Sequence, residues 1–273
     1  MNHMMRFARI AALLVILPCI LSAQASKFRY QPAKAESGVV YHYDKTEKDG
    51  TNVEHISVFV ANPNRLEVFK FHDEPGTRAG LVIATLDYTS FQASRLESWA
   101  ATGAEEKALV ATMEFPNASK AAKITFAGSA DEHEFTEIKF TPFHVYNFDL
   151  TSLNFMMRHL VDPHAAFQIG IADPNFQEEG PLFLYRGEVT VKYAGDDTRN
   201  GSECRKYSID GPGVQNRGGF VWVRKDGEYF EEVLMDLPDN PNWQSFRFVL
   251  RKKEKMSAGD WQKFMKAHFA STK

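Results

Sequence analysis

The chain has 273 residues, of which 44% are hydrophobic and 25% are charged, and its formal net charge is −3. This mildly acidic composition excludes a nucleic-acid-binding surface, which requires clustered Lys and Arg to replace the counterions of the phosphate backbone. Only one cysteine, Cys204, follows the first 25 residues, so the fold rests on its core and not on a disulfide. We expect Cys204 to be a buried structural thiol.

The first 25 residues have the three parts of a secretion signal. Two arginines make the leading end positive, and the apolar run Ile10–Leu21 is too short to span a bilayer. Small residues follow at Ser22, Ala23 and Ala25, the positions that a signal peptidase recognises, so we predict cleavage after Ala25. Cleavage leaves one β-rich domain, residues 26–273, with a net charge of about −5, because the signal holds two positive residues and no acid. No later stretch is long and apolar enough to span a membrane, so we expect a soluble periplasmic or secreted protein.

The first predicted hairpin can be read residue by residue. A two-residue turn at Asp49-Gly50 pairs Lys48 with Thr51. Counting outward places three apolar pairs on one face, as a half-buried sheet requires. The pairs are Val39–Val60, Tyr41–Val58 and Tyr43–Ile56, and the opposite face carries His42, Asp44, His55 and Ser57.

Short runs rich in Val, Ile, Phe and Tyr continue along the chain and predict an antiparallel sheet. Further strands are predicted at Leu66–Phe71, Leu81–Tyr88, Ser94–Trp99, Ala108–Phe115, Ala122–Phe126, Phe135–Phe140 and Phe143–Phe148. In the C-terminal third they are predicted at Glu188–Tyr193, Arg205–Ile209, Phe220–Arg224, Tyr229–Met235 and Phe246–Leu250. A polar loop is predicted at Asp196–Ser202, and Asp173–Pro181 is the best candidate for a break in the chain.

A first helix is predicted where polar residues precede an apolar stripe. Asp149 or Thr151 can cap it, and it runs to about Val161 with Met156 and Met157 on its apolar side. Aromatic residues crowd around this helix in sequence, and Met adapts its shape to apolar partners. Lying across the concave side of a curved sheet, the helix would form a lid over an apolar cavity. Ordinary core packing is the alternative interpretation.

A second helix is predicted at about 257–269. Ser257 and Asp260 have the spacing of a capping box, and an apolar stripe that begins at Trp261 follows them. We expect the stripe to pack against the sheet. The predicted fold class is mostly β with minor α: a large curved antiparallel sheet, or unclosed β-barrel, wrapped on one or two helices.

Patterns that commit the chain to a reaction are absent from the sequence, which has no phosphate loop, nucleophile elbow or zinc-protease helix. His42, Asp44 and His55 share one face of the first hairpin, where imidazole and carboxylate groups could hold zinc or copper. A solvent-facing polar side of an amphipathic hairpin explains these residues better. We therefore predict neither a metal nor a cofactor.

The export signal, the many-stranded sheet and the hairpin Gly219–Gly227 together resemble a known superfamily. They are similar to the periplasmic carriers that sort outer-membrane lipoproteins and to related exported proteins of unknown function. The resemblance covers chiefly Leu182–Leu250. It implies a half-barrel wrapped around a helix, with an apolar concave face that receives acyl chains. Strands that carry Phe220, Trp222 and Phe248 would line that face.

The leading functional hypothesis is non-catalytic binding of a lipid or another hydrophobic ligand in the concave face of a half-barrel. Two alternatives are a metal-dependent exported hydrolase and an envelope scaffold that binds proteins through a sheet edge. The expected partners are a hydrophobic small molecule or acyl chain and envelope proteins. The predicted ligand-binding residues are Phe143, Tyr146, Phe148, Met156, Met157, Phe220, Trp222 and Phe248.

Overall fold

The computed structural model of the protein describes residues 27–73, 78–103, 106–116, 120–128, 133–175, 179–237 and 243–270. The predicted signal peptide, residues 1–25, lies outside these ranges, so its cleavage after Ala25 stays a prediction. Among the described residues, no helix has both the length and the apolar character needed to cross a membrane.

Fifteen strands in the described ranges pair side by side in one sheet. They are β1 (Val39–Glu47), β2 (Glu54–Asn62), β3 (Arg65–Phe71), β4 (Ala79–Asp87), β5 (Gln92–Ala101), β6 (Lys107–Glu114), β7 (Ala121–Phe126), β8 (His133–Glu137), β9 (Phe143–Val145), β10 (Phe167–Pro174), β11 (Phe183–Arg199), β12 (Ser202–Asp210), β13 (Gly219–Arg224), β14 (Phe230–Asp236) and β15 (Ser245–Lys255). The order in the sheet is β8-β7-β6-β5-β4-β3-β2-β1-β15-β14-β13-β12-β11-β10-β9. Neighbouring strands are antiparallel, except that β9 is parallel to β10.

The sheet curls into a roll that is not closed by strand pairing. A single apolar cluster on its concave side combines residues from strands far apart in the order, such as Val58 on β2 and Val221 on β13, with Leu153 on a central helix. A flat sheet cannot bring such strands to one cluster, so the sheet must be curved. The predicted fold class is confirmed.

The hairpin of β1 and β2 has the register expected from the sequence. The Cα partners are Val39 with Val60, Tyr41 with Val58, and Tyr43 with Ile56. All of these apolar side chains lie in the concave cluster. The alternation of inward apolar and outward polar residues is therefore sufficient to fix which face of this hairpin is buried.

The helix at the centre of the roll, α1 (Thr151–Met157), is shorter than predicted, and all of its residues are buried. Its N-cap is Leu150, with a φ of 51° and no side-chain cap bond, so the prediction that Asp149 or Thr151 caps the helix is wrong. Asp149 instead pairs with two lysines inside the roll. The helix also ends before Val161, the predicted end.

The second helix, α2 (Ala258–Ala270), lies on the convex side of the sheet. The Ser257 hydroxyl accepts the Asp260 N–H (3.1 Å) and donates to the Asp260 carboxylate (2.7 Å), as the sequence spacing predicts. Trp261 is 1% exposed, and its ring stacks on Phe59 with the centroids 5.3 Å apart. The helix thus seals the outer face of the first strands.

Two segments differ from the sequence prediction in the second half of the chain. Strand β10 was not predicted, and it includes Asp173, where a break was expected. The predicted loop Asp196–Ser202 is mostly strand, because β11 runs to Arg199 and a two-residue turn joins it to β12. The turn residues Asn200 and Gly201 have φ angles of 47° and 78°. Positive φ at both positions is the mark of a type I′ hairpin turn, which Asn-Gly favours.

Candidate functional site

Six of the eight predicted ligand-binding residues lie together in the concave cluster. They come from β9, the short 3-10 helix Tyr146–Phe148, α1 and β15. All six are buried: Phe143, Tyr146, Phe148, Met156, Met157 and Phe248. Helix α1 is packed within the roll, so these side chains contact one another and the sheet. Ligand binding by these residues stays a prediction.

Phe220 and Trp222 lie on the convex face of β13 instead. Successive side chains of a strand point to opposite faces, and it is Val221 and Val223 that fill the concave cluster. Phe220 is 39% exposed, and the Trp222 ring is covered by the Arg199 guanidinium, 4.5 Å from the ring centroid. Strand β13 therefore lines the concave face as expected, but it does so with Val221 and Val223.

Polar contacts hold α1 along the inner face of β1, the middle strand of the sheet order. Each contact joins a polar residue on or beside α1 to an inward-facing residue of β1. The contacts are Asp149 with Lys45 (Oδ1–Nζ, 2.9 Å), Asn154 with Tyr43 (Nδ2–OH, 3.0 Å) and Arg158 with Tyr41 (Nη2–OH, 3.4 Å).

At one end of this row of three contacts between α1 and β1, two lysines share one buried carboxylate. Asp149 lies 2.9 Å from the Lys45 Nζ and 2.5 Å from the Lys70 Nζ, and its side chain is fully buried. Burial alone would raise the pKa of Asp149, but the two ammonium groups outweigh it and hold the pKa below its ordinary value. Burial would likewise lower the pKa of Lys70, and the nearby carboxylates of Asp149 and Glu54 keep it raised. The Asp149 carboxylate and the Lys70 ammonium are therefore charged at neutral pH.

Asp173 and Tyr146 lie beside this charged group. Asp173 accepts the Asn147 N–H (2.7 Å), and its carboxylate is 3.6 Å from the Arg186 guanidinium. Burial raises the pKa of Asp173 to about 7, although Arg186 opposes the shift. The Tyr146 hydroxyl is buried and has no hydrogen-bond partner among the described residues. Burial, with the nearby Asp173 and Asp149 carboxylates, raises the pKa of Tyr146 well above its ordinary value, so the hydroxyl keeps its proton.

The opposite end of the row of contacts is closed by ion pairs and by the N-terminal segment. Arg158 is 3% exposed in its side chain and bonds the Glu36 carboxylate (2.9 Å), which also accepts from Lys253 (2.8 Å). Phe28 inserts into the concave cluster and stacks on Phe91 with the centroids 5.2 Å apart. Both ends of the roll therefore carry buried charges, whereas the polar contact between them, Asn154 with Tyr43, is uncharged.

The two end regions of the sheet meet through side chains, and we call this contact the seam. The Glu134 carboxylate on β8 accepts the N–H groups of Leu182 (2.8 Å) and Phe183 (3.2 Å) at the start of β11. The Thr136 hydroxyl donates to the Phe183 carbonyl (2.9 Å). No strand pairing joins β8 to β11 within the described ranges. The seam therefore lacks the backbone ladder that holds the other strands together.

A surface pocket of about 570 Å³ opens where β4 and β6 end and β5 begins. The Phe115 ring lines it and packs on Phe143 of the end strand β9, with the centroids 5.0 Å apart. The Gln92 side chain accepts the Phe143 N–H (3.0 Å), so β9 is also held against β5 by a side chain. The lining residues are Leu86, Asp87, Ser94, Arg95, Glu114, Phe115 and Pro116.

The three residues considered as metal ligands lie on the convex face of the first hairpin and are bonded to other partners. His55 lies between Asp44 (Nδ1–Oδ1, 2.8 Å) and Asp73 (Nε2–Oδ1, 2.7 Å), while His42 contacts Glu254 (3.1 Å). Burial lowers the pKa of His42; at His55 the two carboxylates outweigh burial and raise it. Within the described part of the chain, no group of three or more His, Cys, Asp or Glu residues is arranged to hold a metal.

The buried charges were missed in reading the sequence, although one of them had a readable signal. Lys45 follows Tyr41 and Tyr43 at two-residue spacing, so the hairpin register already places it on the inner face. A lysine there requires a buried counterion. The partner, Asp149, is more than a hundred residues away, and nothing in the local sequence connects the two.

No protein-family model and no curated protein matches the chain. Solved structures do resemble it. A DUF1329 family protein from Desulfovibrio piger is 10% identical over 82% of this chain and 88% of that chain, with a TM-score of 0.28. A putative lipoprotein from Parabacteroides distasonis is 10% identical over 84% and 99%, with a TM-score of 0.30. A putative outer membrane lipoprotein-sorting protein domain from Vibrio parahaemolyticus is 9% identical over 86% and 94%, with a TM-score of 0.27. The weak resemblance expected from the sequence is thus found.

Proposed function

We propose that the protein is a non-catalytic binding protein of the cell envelope that takes up the acyl chain of a lipid, or a similar apolar ligand, on the concave face of the roll. The supporting observation is the way the roll is closed. Its middle strand and α1 are held together by buried polar contacts, whereas the described residues of β8 and of the start of β11 meet through side chains at the seam, with no strand pairing between them. Such a roll can open at the seam without losing a backbone ladder.

The interior has side chains that suit a variable apolar guest. Met156 and Met157 face the aromatic residues Phe143 and Phe148 within one cluster, and all are buried. Unbranched Met side chains change rotamer at low cost and fill irregular spaces. An acyl chain that enters would displace them and contact the aromatic rings, exchanging one apolar environment for another.

The entry route in this proposal runs beside β8 and β9. The pocket lined by Phe115 adjoins Phe143 there, and Leu182, 52% exposed, flanks the seam. Apolar side chains at the opening, such as Phe115 and Leu182, lower the cost of bringing an acyl chain there from water. The seam then has to part by the width of one chain.

Native mass spectrometry with lipid extraction is the direct test, on protein purified from the periplasm without detergent. We expect a co-purifying acyl-chain species at near-stoichiometric mass. A clean apo mass, together with no uptake of the apolar fluorophore N-phenyl-1-naphthylamine, would overturn the proposed function.

The route is tested by the variant Glu134→Ala, which removes both carboxylate bonds of the seam. We expect uptake of the fluorophore to become about tenfold faster or more, because hydrogen bonds to a charged group contribute more than neutral ones. Glu137→Ala is the matched control, since Glu137 lies on the same strand but points to the opposite face. Equal uptake rates in the two variants would exclude the seam as the route.

A second candidate is an envelope scaffold that pairs with another protein through β8. This edge strand carries Phe135, which is 61% exposed on the convex face, and edge strands are templates for pairing. Crosslinking in intact envelopes tests it: a specific crosslinked protein that Phe135→Ser abolishes would favour the scaffold over the carrier.

A further inference from the structure

The buried charges at one end of the roll need an explanation that an apolar ligand alone does not give. Lys45 and Lys70 are nearly excluded from solvent, with side-chain exposures of 3% and 12%. Buried ion pairs are often no more stabilising than apolar residues of similar volume, so their presence is weak evidence for a purely structural role.

The Tyr146 hydroxyl is an independent sign of a ligand. It is buried in the same region and bonds nothing among the described residues, and an unsatisfied buried donor is costly. Phe in its place would keep the apolar packing of the ring without that cost. The Tyr146 ring (5.7 Å) and the Lys45 ammonium (5.8 Å) both lie beside the Phe246 ring, so the hydroxyl and the lysines paired with Asp149 belong to one polar region that an incoming anion could satisfy.

An aromatic path leads from these donors into the middle of the roll. The Tyr146 ring lies 5.7 Å from Phe246, which is 5.8 Å from Phe248, and Phe248 stacks on Tyr43 at 4.2 Å. The Lys45 ammonium lies over the Phe246 ring at 5.8 Å. Cationic donors therefore stand at the head of a continuous apolar track.

We propose that Lys45, Lys70 and Tyr146 form a subsite for the anionic head group, a carboxylate or a phosphate, of an amphiphile whose acyl chain lies along Phe246 and Phe248. This inference rests on the proposed function and specifies its ligand class. The lysines attract the anion, and the Tyr146 hydroxyl donates to it. Asp149 holds the lysines in place when no ligand is bound.

The charge balance of the region supports an anion rather than a cation. The basic residues of the region are Lys45, Lys70 and Arg186, and the acids are Asp149, Glu54 and Asp173. A fourth acid, Asp236, also acts on Tyr146, but it is paired with Lys48 (2.6 Å). Because burial raises the pKa of Asp173 to about 7, this carboxyl is largely neutral in the acid range, and the cations are then in excess. A bound anion restores neutrality.

The experiment compares oleate with oleyl alcohol, which has the same chain and no charge, by isothermal titration of the full mature protein. Acetate and inorganic phosphate, which have no acyl chain, distinguish a head-group site from a site for free anions. We expect oleate to bind at least tenfold more tightly than oleyl alcohol, and neither small anion to bind at millimolar concentration.

The decisive variant is Tyr146→Phe. Because the hydroxyl has no partner to lose, the variant should fold at least as stably, while the affinity for oleate falls about tenfold or more and that for oleyl alcohol does not change. Tyr88→Phe is the control: its hydroxyl is bonded to the Pro63 carbonyl (2.7 Å) on another part of the roll, and the oleate preference should persist.

The outcomes separate the two proposals. Equal affinities for oleate and oleyl alcohol, or an unchanged oleate affinity in Tyr146→Phe, overturn the head-group subsite and leave the apolar binding function standing. Tight binding of free phosphate or acetate would also overturn it, since the acyl chain would then be irrelevant. Failure to bind either oleyl compound overturns the subsite and the proposed function together.

Discussion

Asp173 offers a test of the buried charges through the pH dependence of stability. Its side chain is fully buried, and burial raises its pKa from an ordinary 3.8 to about 7 in the folded protein. The folded state therefore holds this proton to a higher pH than the unfolded state does. The contribution of Asp173 to stability must therefore fall as the pH rises through that interval, and its full difference corresponds to about 4 kcal/mol. Asn at this position cannot titrate, so Asp173→Asn should remove the dependence.

The assay is urea unfolding of the protein and of Asp173→Asn at pH 5, 6, 7 and 8. Between pH 5 and pH 8 we expect the protein to lose about 3 kcal/mol relative to the variant, and most of the loss to come before pH 7. Asp149→Asn is the matched control, because the pKa of Asp149 is lowered and its stabilising effect is complete above pH 4. That variant should be less stable than the protein by about 3–5 kcal/mol at every pH, so its plot of unfolding free energy against pH should run parallel to that of the protein. Parallel curves for the protein and Asp173→Asn would refute the assignment.

Two further predictions concern stability and reactivity outside the concave face. Trp261→Ala should reduce the free energy of unfolding by about 3–5 kcal/mol, because it removes the ring stacked on Phe59 and the bond to Glu67 (3.0 Å). Ser257→Ala removes only the helix cap and should reduce it by about 1 kcal/mol. Equal losses for the two variants in urea unfolding would contradict this packing of α2. Cys204 is fully buried, as expected from the sequence, and burial raises the pKa of its thiol to about 11. Ellman's reagent should therefore react with it only on unfolding, and rapid labelling of the native protein at pH 8 would show that the thiol is accessible.

The local features of the fold were accessible from the sequence because they depend on neighbouring residues. The register of β1 and β2 follows from the alternation of apolar residues on either side of one turn. The cap of α2 follows from the spacing of Ser257 and Asp260. The Asn200-Gly201 turn also had a local signal, and it was missed because the polar residues around it were taken for a loop.

The features that failed depend on contacts far apart in the chain. The resemblance to lipoprotein carriers implied that the strand of Phe220 and Trp222 lines the concave face. The strand does so with Val221 and Val223, while cationic side chains cover the two aromatic rings on the convex face. Asp149 looked like a helix cap because it directly precedes the helical pattern. Its partners in the structure are Lys45 and Lys70, and no local pattern brings these three residues together.

The strength of the seam relative to the rest of the fold decides whether the roll can open in the folded state. Its three hydrogen bonds, two to Glu134 and one from Thr136, contribute about 1–2 kcal/mol each, or about 3–6 kcal/mol together. Global unfolding of a domain costs about 5–15 kcal/mol. An opening that costs about 3–6 kcal/mol is populated at about 1% or below, and it interconverts without loss of the backbone ladders. Helix α1 would stay on β1 during such an opening, because Asn154 bonds both the Tyr43 hydroxyl and the Phe230 N–H, and neither contact crosses the seam. The bonds of α1 would therefore confine such an opening to the seam and leave the middle of the roll intact.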